Sequence, residues 1–411
     1  MFLGNRSLYD EHPFIHVEPS PMSQPETVQD IAIVGAGLAG LIQFRALQAR
    51  GFDPYLLDPR PEQALRPSNS DTRSTALTAH AVELLGLPKE WLHAHGQQIA
   101  EMVVDGGVGS SLRLDASLHL ASGAWVVANG DLNRFLLDQI EVRGAFGQAV
   151  VSSAREGGYR VLKLADGETV KARLVIAADG RDSQLRRDAD IQAHVRDFHQ
   201  TALTGRIEHS QPHQGRAFQR FLPGGTLAFL PLCGTEHASS FIWVEPSTKA
   251  KGLFALSPEI LAVRMQARFG HALGDLKPPA EPASAWGQFP LRAHHCETIV
   301  GDRLALIGEA AHSMHPLAGQ GLNMTIKDVA ALTAVLVDQR RHGLDAGDIQ
   351  ALQDYQRARR ADTARFTALT TGLHDLLDRG PAPVRALAAT GMGLIERLPP
   401  VKAFLRREAD R

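Results

Sequence analysis

The sequence predicts an α/β fold: a parallel sheet interrupted by an inserted antiparallel sheet and followed by C-terminal helices. Three observations predict it. A short apolar run, Ile31 to Val34, leads through glycines into an alanine- and leucine-rich stretch of helical spacing that ends at Arg50. Between about His199 and Glu245 the texture changes to alternating strand-like runs punctuated by Pro223, Gly224 and Gly225. A later run, Leu304 to Ile307, again leads through glycines into a long helical stretch, Gly321 to Gln339, repeating the opening pattern.

The elements follow in order. After Gly51 the apolar run Tyr55 to Leu57 ends in Asp58 and completes a βαβ unit. Ala76 to Leu87 and Asp131 to Val142 carry helical spacing, whereas Val150 to Ser153, Tyr159 to Leu164 and Arg173 to Ala178 read as strands. A helix from Glu259 to Phe269 closes the insert, and the Pro/Ala-rich stretch Lys277 to Ser284 returns the chain. The expected organisation is a flexible leader over 1–28 and a discontinuous parallel-sheet domain over 29–190 and 286–347. A sheet insert over 191–285 also takes strands from about 101–120, and a helical region fills 348–411.

Composition narrows the function. A chain of 411 residues exceeds the usual single core. Its net charge of -2 offers no single-signed field for a nucleic-acid partner. Two distant cysteines, Cys233 and Cys296, suggest neither a disulfide framework nor a zinc site and fit a reducing cytoplasm. No uncharged apolar run approaches the ~20 residues of a membrane span, and the charged, proline-containing leader does not read as a signal peptide.

The glycines carry the first chemical signal. Gly35, Gly37 and Gly40 have the G-x-G-x-x-G spacing after a strand and at the opening of a helix, the Rossmann-like dinucleotide fingerprint. The first permits a tight turn, the second lets backbone approach a pyrophosphate, and the third packs helix on sheet. Asp58, at the end of the next strand, stands where a carboxylate accepts hydrogen bonds from ribose hydroxyls. Asp179 and Gly180 follow another buried run, and Gly319, Gln320 and Gly321 open the long helix with free amides suited to an anionic ring or its carbonyl oxygens.

These three blocks, in this order, resemble the aromatic-hydroxylase class of FAD monooxygenases. The wording HPLAGQGLN, with DTRSTAL, RFLPGGTLAFLPL, FPLR and GLIERLPPVKAFLRR, is similar to the branch that hydroxylates polyprenylphenols in ubiquinone biosynthesis, and the similarity runs from about Asp30 to Arg407. The resemblance implies an FAD-binding domain with a substrate-binding sheet insert. Gly35, Gly37, Gly40 and Asp58 would hold the ADP half of FAD, with Arg73 near the pyrophosphate. Asn129 and Arg134 stand where relatives face the cofactor, and Asp179 and Gly180 would serve both FAD and transient NAD(P)H. Gly308 and Glu309 would meet the ribitol and pyrophosphate, and Pro316, Gly319, Gln320, Gly321, Leu322 and Asn323 would line the flavin ring.

The chain departs from the family pattern at three positions. Glu309 stands for the usual aspartate, Thr325 for a glycine and Gly130 for an arginine. The extra methylene of Glu309 predicts FAD bound less tightly than in the relatives.

The implied reaction takes electrons from NAD(P)H and transfers oxygen from dioxygen, through a flavin hydroperoxide, to a hydrophobic aromatic ring. His312 and His315 are candidate acid-base groups, although packing or hydrogen bonding is the commoner fate of such histidines; their H-x-x-H spacing has no third ligand, so no metal is expected. Phe218, Phe221, Leu227, Phe229 and Leu230 could wall a substrate pocket or simply be core.

The basic amphipathic stretch from Val384 to Arg407 suits peripheral contact with the inner face of a membrane, or ordinary helix packing. A hydroxylase of a soluble aromatic metabolite and a non-catalytic FAD-binding member of a quinone-biosynthesis protein complex stay open as alternatives.

Overall fold

The computed structural model describes residues 27–66, 73–106, 117–280, 286–315 and 321–374. In chain order the first elements are β1 (Thr27–Val34), α1 (Leu38–Gln48), β2 (Tyr55–Asp58), β3 (Ser74–Leu77), α2 (Ala79–Leu85), α3 (Lys89–His95), β4 (Gly96–Gln98), β5 (Glu101–Asp105), β6 (Leu118–Ala121), β7 (Trp125–Ala128) and α4 (Asn129–Asp138). There follow β8 (Gly144–Phe146), β9 (Val150–Glu156), β10 (Tyr159–Leu164), β11 (Thr169–Ala177), α5 (Gln184–Asp188), β12 (Ala193–His209), β13 (Arg216–Leu222), β14 (Gly225–Pro231), β15 (Ala238–Pro246), α6 (Ser247–Phe254) and α7 (Pro258–Phe269). The last are β16 (Leu276–Lys277), β17 (Gly287–Cys296), β18 (Val300–Gly301), β19 (Leu304–Leu306), β20 (His312–Ser313), α8 (Gly321–Arg341) and α9 (Ile349–His374).

The first sheet runs β18-β19-β11-β1-β2-β8, with β9 and β10 as an antiparallel flap beside β11. Its core strands pair in parallel, and their near-continuous apolar sequences are the consequence of burial on both faces. Ile31, Ile33, Leu56 and Ile176 pack against α1, α4 and α8 on one side. Ala32, Leu57, Val175 and Leu306 pack on the other.

The second sheet runs β20-β17-β12-β15-β14-β13-β5-β6. It includes β5 and β6 and extends through β17 to Cys296, past residue 285 where the sequence texture placed its end. β3, β7 and β4 form a small third sheet between the two.

One helix boundary needs correction. The helical spacing over Ala76 to Leu87 conceals a strand, because Ser74–Leu77 pairs with β7 before Thr78 turns the chain. Thr78 accepts a hydrogen bond from the Ala81 amide as the N-cap of α2, and Gly86 ends that helix in the left-handed conformation. Cross-strand pairing overrides helical propensity here. The leader, apart from Thr27 and Val28, and the stretch from Val384 to Arg407 lie outside the described residues.

Candidate active site

Three strand ends share one edge. Val34 pairs with Ala177, and Ala177 with Leu306. The Ala178 amide donates to Val34 at 2.8 Å and the Ile307 amide to Ala177 at 3.0 Å. The loops opened by Gly35, Asp179 and Gly308 therefore leave side by side from the carboxyl ends of parallel strands, where open α/β sheets bind ligands. Among the third block, Pro316, Gly319 and Gln320 lie outside the described residues; Gly321, Leu322 and Asn323 form the first turn of α8.

The glycine turn divides its labour by geometry. A Cβ on Gly35, whose φ is +105°, would lie 2.3 Å from the Ala178 carbonyl oxygen, and one on Gly40 would lie 1.8 Å from the Gly35 oxygen. Both positions are closed to any side chain. Gly37 differs, since a Cβ there would meet nothing within 4 Å among the described residues, and the same holds for Gly180. These two face open space, as a backbone approached by a ligand must.

Asp58 is engaged more fully than the sequence suggests. Its carboxylate accepts from the Ala36 amide at 2.6 Å and from Arg60 Nε at 2.7 Å, while Arg60 also donates to the Ala36 carbonyl at 3.1 Å. Burial alone would raise this carboxyl, but Arg60 and the two backbone amides outweigh it and hold the group below the usual carboxylate range. Asp58 thus clamps the glycine turn in its ionised form.

Asp179 is the opposite case. Burial raises its carboxyl against hydrogen bonds from Ser183 and the Leu185 amide. Among the described residues its Oδ1 is buried without a hydrogen-bond partner, a state that costs about 1 to 3 kcal/mol until a donor arrives. Together with the open faces at Gly37 and Gly180, this orphan acceptor between the glycine turn and α5 fits a hydroxyl-bearing dinucleotide such as FAD.

The Gly308 loop is held from below. With φ at +57°, Gly308 packs so that a Cβ would touch Thr325 at 3.1 Å and Ala39 at 3.2 Å. Its amide donates to Asp328 Oδ2 at 3.1 Å, an oxygen that also takes His312 Nε2 at 2.7 Å. Arg359 Nε donates to Asp328 Oδ1 at 2.8 Å. His312 is therefore tied into a buried ionic cluster that joins the loop to α8 and α9. Glu309 next door is largely exposed and lies 3.8 Å from Arg181, so the longer side chain reaches the Asp179 loop.

The other named residues take different places. The Asn323 side chain accepts from the Thr78 amide at 3.2 Å and donates to the Ala76 carbonyl at 2.9 Å, stapling α8 to β3. Leu322 packs against the core of the first sheet. Asn129 accepts from Thr75 Oγ1 at 2.6 Å beside Arg73, whose guanidinium lies 5.7 Å from the Phe289 ring. Arg134 is exposed and pairs with Asp131 at 2.6 Å. On the same helical face as Asn129, Asn133 has a buried Oδ1 with no partner among the described residues, a feature that gave no sequence signal.

The second sheet presents two unlike faces. Phe218, Leu227 and Phe229 belong to the outer one, packed with Phe241 and Trp243 against Leu261, Met265 and Phe269 of α7. They are core and not a ligand wall. Pairing puts Gln219, Ala228, Ile242 and Thr204 in one row on the inner face, and these four are only partly buried. Phe221 and Leu230 share that face by strand alternation.

His315 stands at its end, 3% exposed. Its Nε2 lies 3.2 Å from Gln200 Oε1, and its ring meets Phe198 edge-on. Nearby His294 joins Ser313 at 2.8 Å through Nδ1 and faces Arg186 through Nε2 at 3.5 Å. Burial first, then the Arg186, His312 and Arg181 charges, lower its pKa to about 4.

Asp328, Arg186, His294 and Gln200 were all missed from sequence. Only Asp328 left a signal, a charge four residues from both Met324 and Leu332 on an apolar helical face. No three His, Cys, Asp or Glu side chains gather as metal ligands among the described residues, and no helix there is long and apolar enough to cross a membrane.

Residues 28–370 match the family described as FAD binding domain. The chain is 36% identical over 395 residues to ubiquinone hydroxylase UbiL of Rhodospirillum rubrum, covering 93% of this chain and 90% of that protein. It is 31% identical over 398 residues to 3-demethoxyubiquinol 3-hydroxylase of Escherichia coli, covering 92% and 97%. The structure of p-nitrophenol 4-monooxygenase PnpA from Pseudomonas putida superposes with a TM-score of 0.75 at 17% identity, covering 93% of this chain and 98% of that one, a likeness of fold.

Proposed function

Since the chain belongs to the FAD-binding-domain family of class A flavin monooxygenases, we propose that it hydroxylates the ring of a polyprenylphenol precursor of ubiquinone, with FAD as bound cofactor and NAD(P)H and dioxygen as co-substrates. The observation that carries the site is the single sheet edge from which the Gly35, Asp179 and Gly308 loops depart together. The substrate class rests on the likeness to two ubiquinone-pathway hydroxylases over nine-tenths of the chain.

When bound, FAD supplies the electron transfers and oxygen activation that side chains cannot. The chain's own part is binding, orientation and exclusion of water. Amides of the Gly35 to Gly40 turn would receive the pyrophosphate at the N-terminus of α1. Asp58, clamped by Arg60, would keep that turn in shape and share its remaining lone pairs with the ribose. Asp179 Oδ1 would accept a cofactor hydroxyl, relieving its orphan state. Gly321 and Leu322 would present the first amides of α8 to the ring system. Across from them, Ala228, Ile242, Phe221 and Leu230 would shield an aromatic substrate from solvent.

The test is twofold. Protein supplied with excess FAD should show flavin absorbance and oxidise NAD(P)H faster when a short-chain polyprenylphenol is added. A strain lacking the gene should accumulate an under-hydroxylated quinone precursor. Colourless protein, or an unchanged quinone pool, would defeat the proposal.

For location we propose a peripheral attachment to membrane through the basic amphipathic stretch Val384 to Arg407, which lies outside the described residues. Liposome flotation before and after deletion from Gly391 onward tests it, and undiminished flotation of the truncated protein would remove that stretch from the reading.

A further inference from the structure

α7 lies on the outer face of the second sheet and is apolar on two sides, only one of which is covered. Ser257 caps its start, accepting from the Ile260 amide at 3.4 Å, and Pro258 opens the first turn. Inward, Leu261, Ala262, Met265 and Phe269 are buried with Phe218, Phe229 and Trp243. A surface helix ordinarily turns polar and charged residues to the opposite side. Here that side carries Ile260, Val263 and Ala267 at i, i+3 and i+7, with Ile260 48% and Val263 66% exposed. Phe254, at the end of α6, is 39% exposed. Nine large hydrophobic side chains are exposed among the described residues, and these three fall within ten consecutive positions. Scattered singly, such residues need no explanation; grouped, they mark a contact surface.

The charges around them identify what the surface fits. Between Ser247 and His271 the chain exposes Lys249, Lys251, Arg264 and Arg268 but a single acid, Glu259, although the whole chain carries a net charge of -2. Arg264 stands within the apolar ridge, four residues after Ile260 and next to Val263. The next acid, Asp275, lies 3.7 Å from His271. A second copy laid on this face would bring cations against cations. A bilayer with anionic headgroups accepts both features: the short aliphatic side chains enter the acyl boundary, and the longer basic ones reach back to the phosphates.

We propose that the α6–α7 face docks on an anionic lipid bilayer, with Phe254, Ile260 and Val263 entering the boundary between headgroups and acyl chains, and Lys249, Lys251, Arg264 and Arg268 pairing with lipid phosphates. This face is separate from the C-terminal stretch assigned above. It also stands without the hydroxylase reading, because attachment is measured in the absence of turnover.

The experiment uses the full-length protein with vesicles of phosphatidylcholine alone or mixed with phosphatidylglycerol. Flotation should be at least about tenfold stronger on the mixed vesicles and should weaken as salt is raised. With brominated acyl chains in the mixed vesicles, Val263→Trp should be quenched beyond the wild type, whereas Val151→Trp, at an exposed position on the β9 flap of the first sheet, should not. Arg264→Gln should weaken flotation about fivefold and the Ile260→Gln, Val263→Gln double variant at least about tenfold, both with the wild-type urea midpoint because these side chains are exposed. Vesicle-bound Val263→Trp that is not quenched would leave attachment to the C-terminal stretch and overturn the proposal. Absent or equal flotation on the two vesicle types, undiminished flotation of the double variant, or a wild-type dimer that the double variant dissolves would each overturn it as well.

Discussion

Replacing Asp328 by Asn tests whether the Gly308 loop is held by charge. Asp328 is fully buried and accepts from the Gly308 amide, His312 Nε2 and Arg359 Nε. Burial would raise its carboxyl, but His312 and Arg359 outweigh that effect and keep it below the usual range, hence ionised. Asn would leave the Arg359 guanidinium, 3% exposed as a residue, with only the half-exposed Asp362 as its ionic partner among the described residues. Removing one member of a buried pair costs about 3 to 5 kcal/mol, a large part of the roughly 5 to 15 kcal/mol that holds a domain folded.

Urea unfolding followed by tryptophan fluorescence should show the midpoint lowered by about 1 M or more. FAD should also dissociate more readily, because the Gly308 amide loses its anchor. Adding Arg359→Met removes the stranded charge and should recover part of the loss. A midpoint within roughly 0.2 M of wild type, or a double variant weaker than the single one, would refute the account.

Other expectations follow from the same structure. Gly40→Ala, whose Cβ would overlap the Gly35 oxygen, should lose about 1 to 3 kcal/mol of stability in urea titrations; Gly37→Ala, whose Cβ meets none of the described residues within 4 Å, should unfold like wild type yet bind FAD at least about tenfold more weakly by fluorescence titration. Below pH 6.5 the unfolded chain binds a proton at His294 that the folded one refuses until about pH 4. Stability from this group is thus complete above 6.5 and is lost as pH falls toward 4, by roughly 3 kcal/mol, a slope that His294→Gln should remove in urea curves taken across that range. Phe229→Ala should cost about 3 to 5 kcal/mol with little change in KM, whereas Ile242→Ala on the opposite face should raise KM and the fraction of NAD(P)H consumed without product.

What could be read in advance depended on whether the signal was local. The glycine spacing, the strand before it and Asp58 after it lie within one βαβ unit, so sequence distance was enough to identify them. The strand at Ser74–Leu77 was concealed because its partner, Trp125–Ala128, lies some fifty residues away and imposes the extended form through pairing. The faces of Phe218 and Phe229 could not be assigned because alternation gives parity and not direction; α7 determines direction by covering one side. Gln200 gave no signal at all. Its contact depends on the backbone slip at His199 and on His315, which is over a hundred positions later.

The central sheet has a consequence for how the chain is made. β19 joins β11 only after residues 304–306 have been synthesised, yet β1, β2 and β11 are complete well before. While the second sheet emerges from the ribosome, the apolar edge of β11 that β19 will occupy is exposed, and an unpaired edge of this kind invites pairing with other chains. Synthesis that stalls between residues 180 and 300 would therefore yield an aggregation-prone nascent fragment, and chaperone engagement should be strongest over that interval.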